Sequence, residues 1–203
     1  MIFSFPVKHQ KYFNLESSGT GGWTKVLEAC KNNSLKEIFE FNNYAIIQID
    51  TDHSQDKHFD VSHLDCKGQV KKYSQLYNNV VDKINSLIVQ PEIQAKKENI
   101  IFAICVHSTE CWLLPLVYTD KRKEHTINCL NALNNAIKKK YKGIAVLTEK
   151  NKNEYNGKNI YDKIMSEWKR KSDIENTAQH NIGFKKFISS LNTIRVNDIT
   201  EIK

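Results

Sequence analysis

Two short apolar segments constrain the fold of this chain more than any other feature. Residues 45–50 read AIIQID and residues 100–106 read IIFAICV, and neither alternates regularly between apolar and polar positions. Strands that are buried on both faces have this pattern, which is typical of the interior of a parallel sheet. Residues 70–89 lie between the two segments and carry apolar side chains at helical spacing: Leu76, Val80, Ile84 and Leu87. The order strand, helix, strand predicts a right-handed crossover between parallel, neighbouring strands.

Helical periodicity recurs through most of the remaining chain. Apolar spacing predicts helices at residues 23–30, 34–41, 111–118, 126–141, 160–168 and 183–191. Ser34 and Glu37 have the spacing of a capping box at the start of the second of these helices. A third strand is predicted at residues 144–147. Strands that alternate with helices indicate an α/β fold in which helices flank a mostly parallel sheet.

The length of 203 residues fits one domain, or one domain with a modest appendage. We expect a single α/β domain over residues 1–203, with a sheet-containing core at 1–150 and a helical C-terminal part at 151–203. The five cysteines are odd in number and form no C-x-x-C pair, which argues against a zinc site or a disulfide framework and favours a reducing compartment. No run of about 18 or more apolar residues occurs, so no membrane span is expected. These features predict a soluble, cytoplasmic protein.

Basic residues form three clusters in a chain whose net charge is +7. The clusters lie at residues 121–123, 138–142 and 169–171, and Tyr141 and Trp168 lie in or beside them. Such clusters can follow a phosphate backbone while aromatic rings stack on bases. For each cluster taken alone, a solvated outer face of a helix is the favoured interpretation. Composition therefore makes nucleic acid a reasonable partner and leaves both interpretations open.

Two aspartates follow the first strand. Asp50 ends the apolar segment and Asp52 comes two residues later, a spacing that points both side chains the same way along a strand. In open α/β sheets, ligands bind beyond the carboxyl ends of the strands. Neighbouring carboxylates raise one pKa unless a cation neutralises them, and Mg²⁺ accepts one or two carboxylates while keeping several waters. The alternative is that Asp50 caps a loop and Asp52 is only solvated.

The second strand runs into a polar segment of a similar kind. His107 follows the strand, and Ser108 or Thr109 can cap the helix that comes next. Glu110 then lies in the first helical turn, where an acidic residue is favourable near the positive end of the helix dipole. His107 is a candidate substrate contact, although a loop histidine satisfied by its neighbours is the simpler interpretation. If the two strands are parallel neighbours, Glu110 also reaches the sheet edge that carries the aspartates.

An ordered set of short motifs resembles a known family. The set consists of the D-x-D at a strand end, E-x-W-L-L at residues 110–114, GKNIYDKI at 157–164 and NIGFKKFISSL at 181–191. It resembles the Toprim-like proteins of anti-phage defence and abortive-infection operons, which are relatives of the Toprim nuclease domain of the overcoming-lysogenization-defect family. The resemblance covers roughly residues 20–192, and the order of the motifs is more specific than any one of them.

The resemblance implies a Toprim-like fold and a metal-dependent nuclease that hydrolyses phosphodiester bonds in DNA or RNA. Asp50, Asp52 and Glu110 would be the catalytic residues and the ligands of Mg²⁺ or Mn²⁺. Lys158 would contact a substrate phosphate or support the site. A partner ATPase encoded in the same operon is also implied. With parallel neighbouring strands, the three carboxylates should face a common, solvent-reachable pocket that has Lys158 or another basic residue at its rim.

The N-terminal segment departs from the family pattern. Toprim domains normally begin with a strand that delivers a glutamate, often as E-G, whereas this chain opens MIFSFPVKHQKYFNLESSGTGGW. Glu16 is the only acidic residue before Glu28, and it follows no recognisable strand. Either the first strand lies upstream of Met1 or the group has been lost. The alternative function is therefore a catalytically inactive regulatory or binding subunit of a defence complex.

Other nucleotide-related motifs are weaker. HFDVSHLDCKG at residues 58–68 has some likeness to an HNH nuclease finger, but the trailing histidine is absent. The helix predicted at 70–89 also leaves no room for the ββα geometry of such a finger. G-x-x-x-x-G-K-S/T and G-x-G-x-x-G loops do not occur in the sequence. The chain is therefore not itself predicted to be an NTPase or a dinucleotide enzyme.

Overall fold

The computed structural model describes residues 2–4, 22–141, 146–148 and 155–194, of which 2–4 and 155–159 are described by their backbone alone. The strands in these ranges are β1 (Ile2–Ser4), β2 (Ala45–Asp50) and β3 (Ile100–Cys105). The helices are α1 (Trp23–Lys31), α2 (Ser34–Phe41), α3 (Tyr73–Leu87), α4 (Pro91–Gln94), α5 (Leu114–Val117), α6 (Cys129–Lys140), α7 (Tyr155–Met165), α8 (Lys171–Ala178) and α9 (Ile182–Thr193). Short 3₁₀ helices lie at Lys97–Asn99, Thr109–Leu113 and Lys121–Glu124.

β2 is the central strand of the sheet, whose order is β1–β2–β3. β2 and β3 pair in parallel, from Ala45 opposite Ile100 to Asp50 opposite Cys105. The prediction of two parallel, neighbouring strands is therefore confirmed, and the fold is mixed α/β with helices around the sheet. β1 pairs antiparallel with the other edge of β2. Because of this pairing, the parallel arrangement predicted for most of the sheet holds for only one of its two described strand pairs.

The two faces of the sheet pack against different helices. Ile47 of β2 joins a buried core with side chains of α1, α2 and α3. Ile46 faces the opposite side and joins Trp112 and Phe184, whose rings stack with their centroids 4.6 Å apart. Both faces are thus covered, as the continuous apolar segments predict. Because side chains alternate along a strand, Asp50 lies on the same face as Ile46, toward the turn that carries Trp112.

Most helices predicted from periodicity are observed, with ends that differ from the predicted ones. α3 places Leu76, Val80 and Ile84 in the core, as its apolar stripe predicts, while Leu87 is only partly buried. The helix predicted at 111–118 is divided into the 3₁₀ helix Thr109–Leu113 and α5. α6 begins only at Cys129, so Ile127 precedes the helix and is exposed.

Two local predictions differ from the structure or extend beyond the described residues, and one observed helix was not predicted. The capping box at Ser34 and Glu37 is wrong, because Asn33 is the N-cap of α2 and the Ser34 amide donates to Asn32 Oδ1 at 2.8 Å. Of the strand predicted at 144–147, residues 144 and 145 lie outside the described residues, and 146–148 form no regular structure. α8 was not predicted, because among its residues only Thr177 and Ala178 are buried, which leaves no apolar stripe.

A second buried cluster lies among α5, α6 and α7, and it contains a disulfide. Leu133 and Ile137 of α6 pack there with Ile164 of α7. The disulfide joins Cys111, in the 3₁₀ helix after β3, to Cys129 at the start of α6. The sequence argued against a disulfide framework, and this one pair was not expected. The two cysteines are 18 residues apart and meet only through tertiary packing, so cysteine usage no longer favours a reducing compartment.

α9 approaches β3 so closely at Gly183 that no side chain fits between them. A Cβ atom on Gly183 would overlap the carbonyl oxygen of Ile104. Asn181 caps α9 at the same point, since its Oδ1 accepts a hydrogen bond from the Gly183 amide at 3.0 Å. The contact therefore fixes α9 directly against the backbone of β3.

Gly183→Ala should destabilise the fold by about 1–3 kcal/mol or more, the usual loss when an extra group is forced into a packed core. Helix propensity alone predicts the opposite sign, because alanine is favoured over glycine in a helix by about 1 kcal/mol. Urea unfolding followed by circular dichroism measures the difference. Ser189→Ala, at an exposed position of α9, is the matched control and should change the free energy of unfolding little. Unchanged or increased stability of Gly183→Ala would contradict the close approach of α9 to β3.

Candidate active site at the carboxyl edge of the parallel strands

Hydrogen bonds join the segments that leave β2 and β3. The amides of Thr51 and Asp52 donate to the carbonyl oxygen of His107 at 2.9 and 3.0 Å. The His107 amide donates in turn to Thr51 Oγ1 at 2.7 Å. Thr51 is fully buried, and His107 has φ 66°, a left-handed conformation that few non-glycine residues adopt. These bonds hold the two strand ends together at one edge of the sheet.

Asp50 ends β2 at this edge and is half-buried. Its Oδ1 accepts a hydrogen bond from Thr109 Oγ1 at 2.8 Å, and Gln48 Nε2 donates to the same hydroxyl at 3.2 Å. Loss of hydration raises the pKa of Asp50 to about 6; the Thr109 bond opposes this shift, and the charges of Glu110 and Asp52 add to it. The site is therefore poorly hydrated and negative, which favours binding of a proton or a cation.

Glu110 lies in the 3₁₀ helix after β3 and is only 3% exposed. Tyr161 of α7 donates its hydroxyl to Glu110 Oε1 at 2.6 Å. Glu110 is near enough to Asp50 for its charge, together with burial, to raise the pKa of Asp50. The two carboxylates thus share one edge, as the parallel strands predict. The prediction that Glu110 faces a solvent-reachable pocket is wrong, because α7 and the packing around the 3₁₀ helix bury it.

Asp52 has an exposed side chain. Its Oδ1 accepts a hydrogen bond from the His53 amide at 2.9 Å, as aspartates in turns often do. This contact agrees with the simpler interpretation, in which the residue stabilises a loop. Its charge nevertheless acts on Asp50, whose pKa is raised mainly by burial and further by Glu110 and Asp52. Asp52 is therefore both a turn residue and a part of the acidic edge.

The chemistry of this edge fits a hard divalent cation in part. Asp50 and Asp52 carry charges that oppose each other, and a cation bound by both relieves that repulsion. Across the ranges that the structure describes, however, no three His, Cys, Asp or Glu side chains are grouped so that they could hold a metal ion. Two carboxylates and several waters are an arrangement that Mg²⁺ accepts. The role of Glu110 as a third ligand stays a prediction.

His107 and His63 lie together at the outer side of this edge. Their rings meet edge to face, with centroids 5.1 Å apart. Burial lowers the pKa of His107, the nearby His63 lowers it further, and Asp52 opposes the shift. His63 Nε2 lies 2.8 Å from the carbonyl oxygen of Thr51 and donates to it, since a carbonyl can only accept. His107 is thus a loop histidine with well-defined partners, and its role as a substrate contact stays a prediction.

Lys158 lies in α7, one helical turn before Tyr161, and its side chain lies outside the described residues. Its predicted role therefore stays a prediction. Thr51, His63 and Tyr161 are the residues of this edge that sequence reasoning missed. Thr51 belongs to no motif, and His63 lies in HFDVSHLDCKG, whose likeness to an HNH finger does not predict this position. Tyr161 lies within GKNIYDKI, so the family resemblance carried a signal for it.

Comparison of the chain with family models, with curated proteins and with solved structures found no match. Among the helices described here, none is both long enough and apolar enough to cross a membrane.

The raised pKa of Asp50 should make the metal-free protein less stable as pH rises. The folded protein keeps a proton on Asp50 up to about pH 6, whereas the unfolded chain releases it near 3.8, so the unfolded state binds fewer protons between these values. The free energy of unfolding should therefore fall between about pH 4 and pH 6, by about 3 kcal/mol at most. Asp50→Asn should lose this decrease. Urea unfolding in EDTA at a series of pH values measures it.

Asp82→Asn is the control for this measurement, because Asp82 is exposed on α3 and the charges that raise the pKa of Asp50 are those of Glu110 and Asp52. It should keep the pH dependence of the wild type. If the wild type and Asp50→Asn lose stability in parallel over the same pH range, Asp50 does not have a raised pKa.

Proposed function

We propose that this chain is a Toprim-like domain that hydrolyses phosphodiester bonds in nucleic acid with Mg²⁺ or Mn²⁺. The environment of Asp50 is the observation that supports this most strongly. Asp50 ends the central strand and accepts a hydrogen bond from Thr109, beyond the end of the parallel neighbour. Burial, Glu110 and Asp52 raise its pKa to about 6. Its position is where open α/β sheets bind ligands.

In this proposal Asp50 and Asp52 hold the cation, and Glu110 completes the acidic cluster. A bound Mg²⁺ would polarise a phosphodiester oxygen and orient an attacking water. Thr109 orients the Asp50 carboxylate by donating to Oδ1, and Tyr161 holds Glu110 by donating to Oε1. The burial of Glu110 keeps bulk water from its carboxylate, which strengthens its electrostatic interactions with other charges at the edge.

The basic clusters support a nucleic-acid substrate only in part. Lys140 Nζ lies 3.0 Å from Glu167 Oε1, and Arg122 and Lys171 also pair with nearby carboxylates, so part of the positive charge is neutralised locally. Lys138, two residues before Lys140 in α6, is exposed and can contact a phosphate backbone. The proposal of a nucleic-acid substrate therefore depends mainly on the acidic edge.

The biological setting is proposed from the family resemblance alone. It is anti-phage defence in the cytoplasm, with a partner ATPase encoded in the same operon. We also propose one domain over residues 1–203, composed of the core at 1–150 and the helical part at 151–203. The contact of Gly183 in α9 with Ile104 in β3 supports this unity, because it joins the two parts through the sheet backbone.

A catalytically inactive regulatory or binding subunit is the second candidate, and the direction of β1 favours it. β1 runs antiparallel to β2, with Ile2 opposite Ile47 and Ser4 opposite Ala45. The carboxyl end of β1 therefore lies at the edge of the sheet away from Asp50. A glutamate placed directly after β1 would lie at that opposite edge of the sheet and would not join the acidic residues. The first glutamate of Toprim domains, in contrast, belongs to the site.

Isothermal titration with Mn²⁺ and with Mg²⁺ tests the proposed cation site. The wild type should bind, and Asp50→Asn and Asp52→Asn should each weaken binding by at least about tenfold, the loss that follows removal of even an outer-shell partner. Asp82→Asn should bind as the wild type does, because its carboxylate lies on α3. Binding that survives both Asp50→Asn and Asp52→Asn would remove the basis for chemistry at this edge.

Cleavage assays separate the two candidate functions. Single- and double-stranded DNA and RNA are incubated with the wild type and with Asp50→Asn in the presence of the same cation. Cleavage by the wild type that Asp50→Asn abolishes is expected for the nuclease. Cation binding without cleavage of any of these substrates would favour the inactive subunit.

A further inference from the structure

A cleft of about 300 Å³ lies beside the acidic edge and has no part in the function proposed so far. It is bounded by the loop that follows β2, by the start of α3 and by the turn after β3. Side chains that matter for its chemistry are those of His63, Leu64, Val70, Lys71, Tyr73 and His107. A concave site that is mostly apolar and has a few polar groups is typical of ligand binding.

The cleft is lined by rings and by apolar side chains that remain exposed. The ring of His107 meets those of His63 and Tyr73 edge to face, with centroids 5.1 and 6.5 Å apart. Leu64, Val70, Tyr73 and Ile127 all line the cleft and are all among the exposed large hydrophobic residues of the described chain. A local concentration of exposed apolar surface marks a site of interaction.

The polar groups of the cleft narrow the class of ligand. His63 uses Nε2 to donate to the carbonyl oxygen of Thr51, so the neutral ring has an acceptor at Nδ1. Lys71 also lines the cleft, and its ammonium group donates to the carbonyl oxygen of Ser62, the residue before His63, at 2.9 Å. A ligand that suits these groups has a flat ring with N–H donors and carries negative charge nearby. A nucleobase within a phosphodiester chain has these properties.

The position of the cleft connects it with the acidic edge. His107 lines the cleft with its ring, and its carbonyl oxygen accepts the hydrogen bond from the Asp52 amide at 3.0 Å. We propose that the cleft binds an unpaired nucleobase of a nucleic-acid strand whose phosphodiester backbone passes the edge at Asp50 and Asp52. The path of the phosphodiester backbone past Asp50 and Asp52 rests on the proposed nuclease function. Binding of the base in the cleft requires no metal and can be tested separately.

Fluorescence anisotropy of the full chain in EDTA tests the proposal without cleavage. The probes are a short fluorescein-labelled single strand, as DNA and as RNA, and a strand of equal length whose residues are abasic. The base-containing strand should bind more tightly than the abasic one. Tyr73→Ala should weaken its binding by about tenfold, the order expected when one stacking ring is lost, and leave binding of the abasic strand unchanged.

A matched pair of substitutions controls for charge. Val70 lines the cleft and Val89 follows α3 outside it, and they are 71% and 70% exposed. Val70→Glu should weaken binding of the base-containing strand, whereas Val89→Glu, with the same change in charge, should not. Circular dichroism confirms that each variant is folded.

The outcomes separate the cleft from the nuclease. Base-dependent binding that Tyr73→Ala and Val70→Glu weaken supports the cleft, even if no cation-dependent cleavage is found. Equal binding of base-containing and abasic strands, no binding of either, or equal effects of Val70→Glu and Val89→Glu would overturn it. Cleavage that requires Asp50 but is unchanged by Tyr73→Ala would support the proposed nuclease and contradict the proposed base-binding cleft.

Discussion

The parallel pairing of β2 with β3 is the interaction on which the rest of the structure depends. Its register sets Asp50 opposite Cys105, so the chain leaves both strands at one edge of the sheet. Thr51 and His107 exchange hydrogen bonds across that edge. Without the pairing, Thr109 would not reach Asp50, and the cleft beside the edge would lose the wall that His107 provides.

A half-buried acid at such an edge is unfavourable unless its charge is neutralised. The pKa of Asp50 is raised to about 6 by loss of hydration, with a further contribution from Glu110. A proton or a cation offsets the lost hydration and the repulsion from Glu110, and a cation does so without protonating the carboxylate. Asp52 adds a second carboxylate at the same edge while it stabilises the turn through the His53 amide. These charges are the physical basis for proposing a cation site here.

The sequence was most informative where burial follows a regular pattern. Continuous apolar segments and helical spacing predicted β2, β3 and α3, and the strand ends pointed to the acidic residues. β1 escaped prediction because a three-residue strand shortly before Pro6 has almost no periodicity. The disulfide of Cys111 with Cys129 and the bond of Tyr161 to Glu110 join residues 18 and 51 positions apart. Such partnerships arise from tertiary packing, which local spacing does not encode.

The central claim is that a divalent cation binds where β2 and β3 end. Nuclear magnetic resonance of the full chain during a titration with Mn²⁺ tests this directly, because the paramagnetic ion broadens the signals of nearby amides most strongly. At low Mn²⁺ the amides of residues 50–52 and 107–110 should broaden together and before those of α3 around Asp82. Broadening that is absent from these two segments, or that appears first around other exposed carboxylates such as Glu124, would contradict a cation site at this edge.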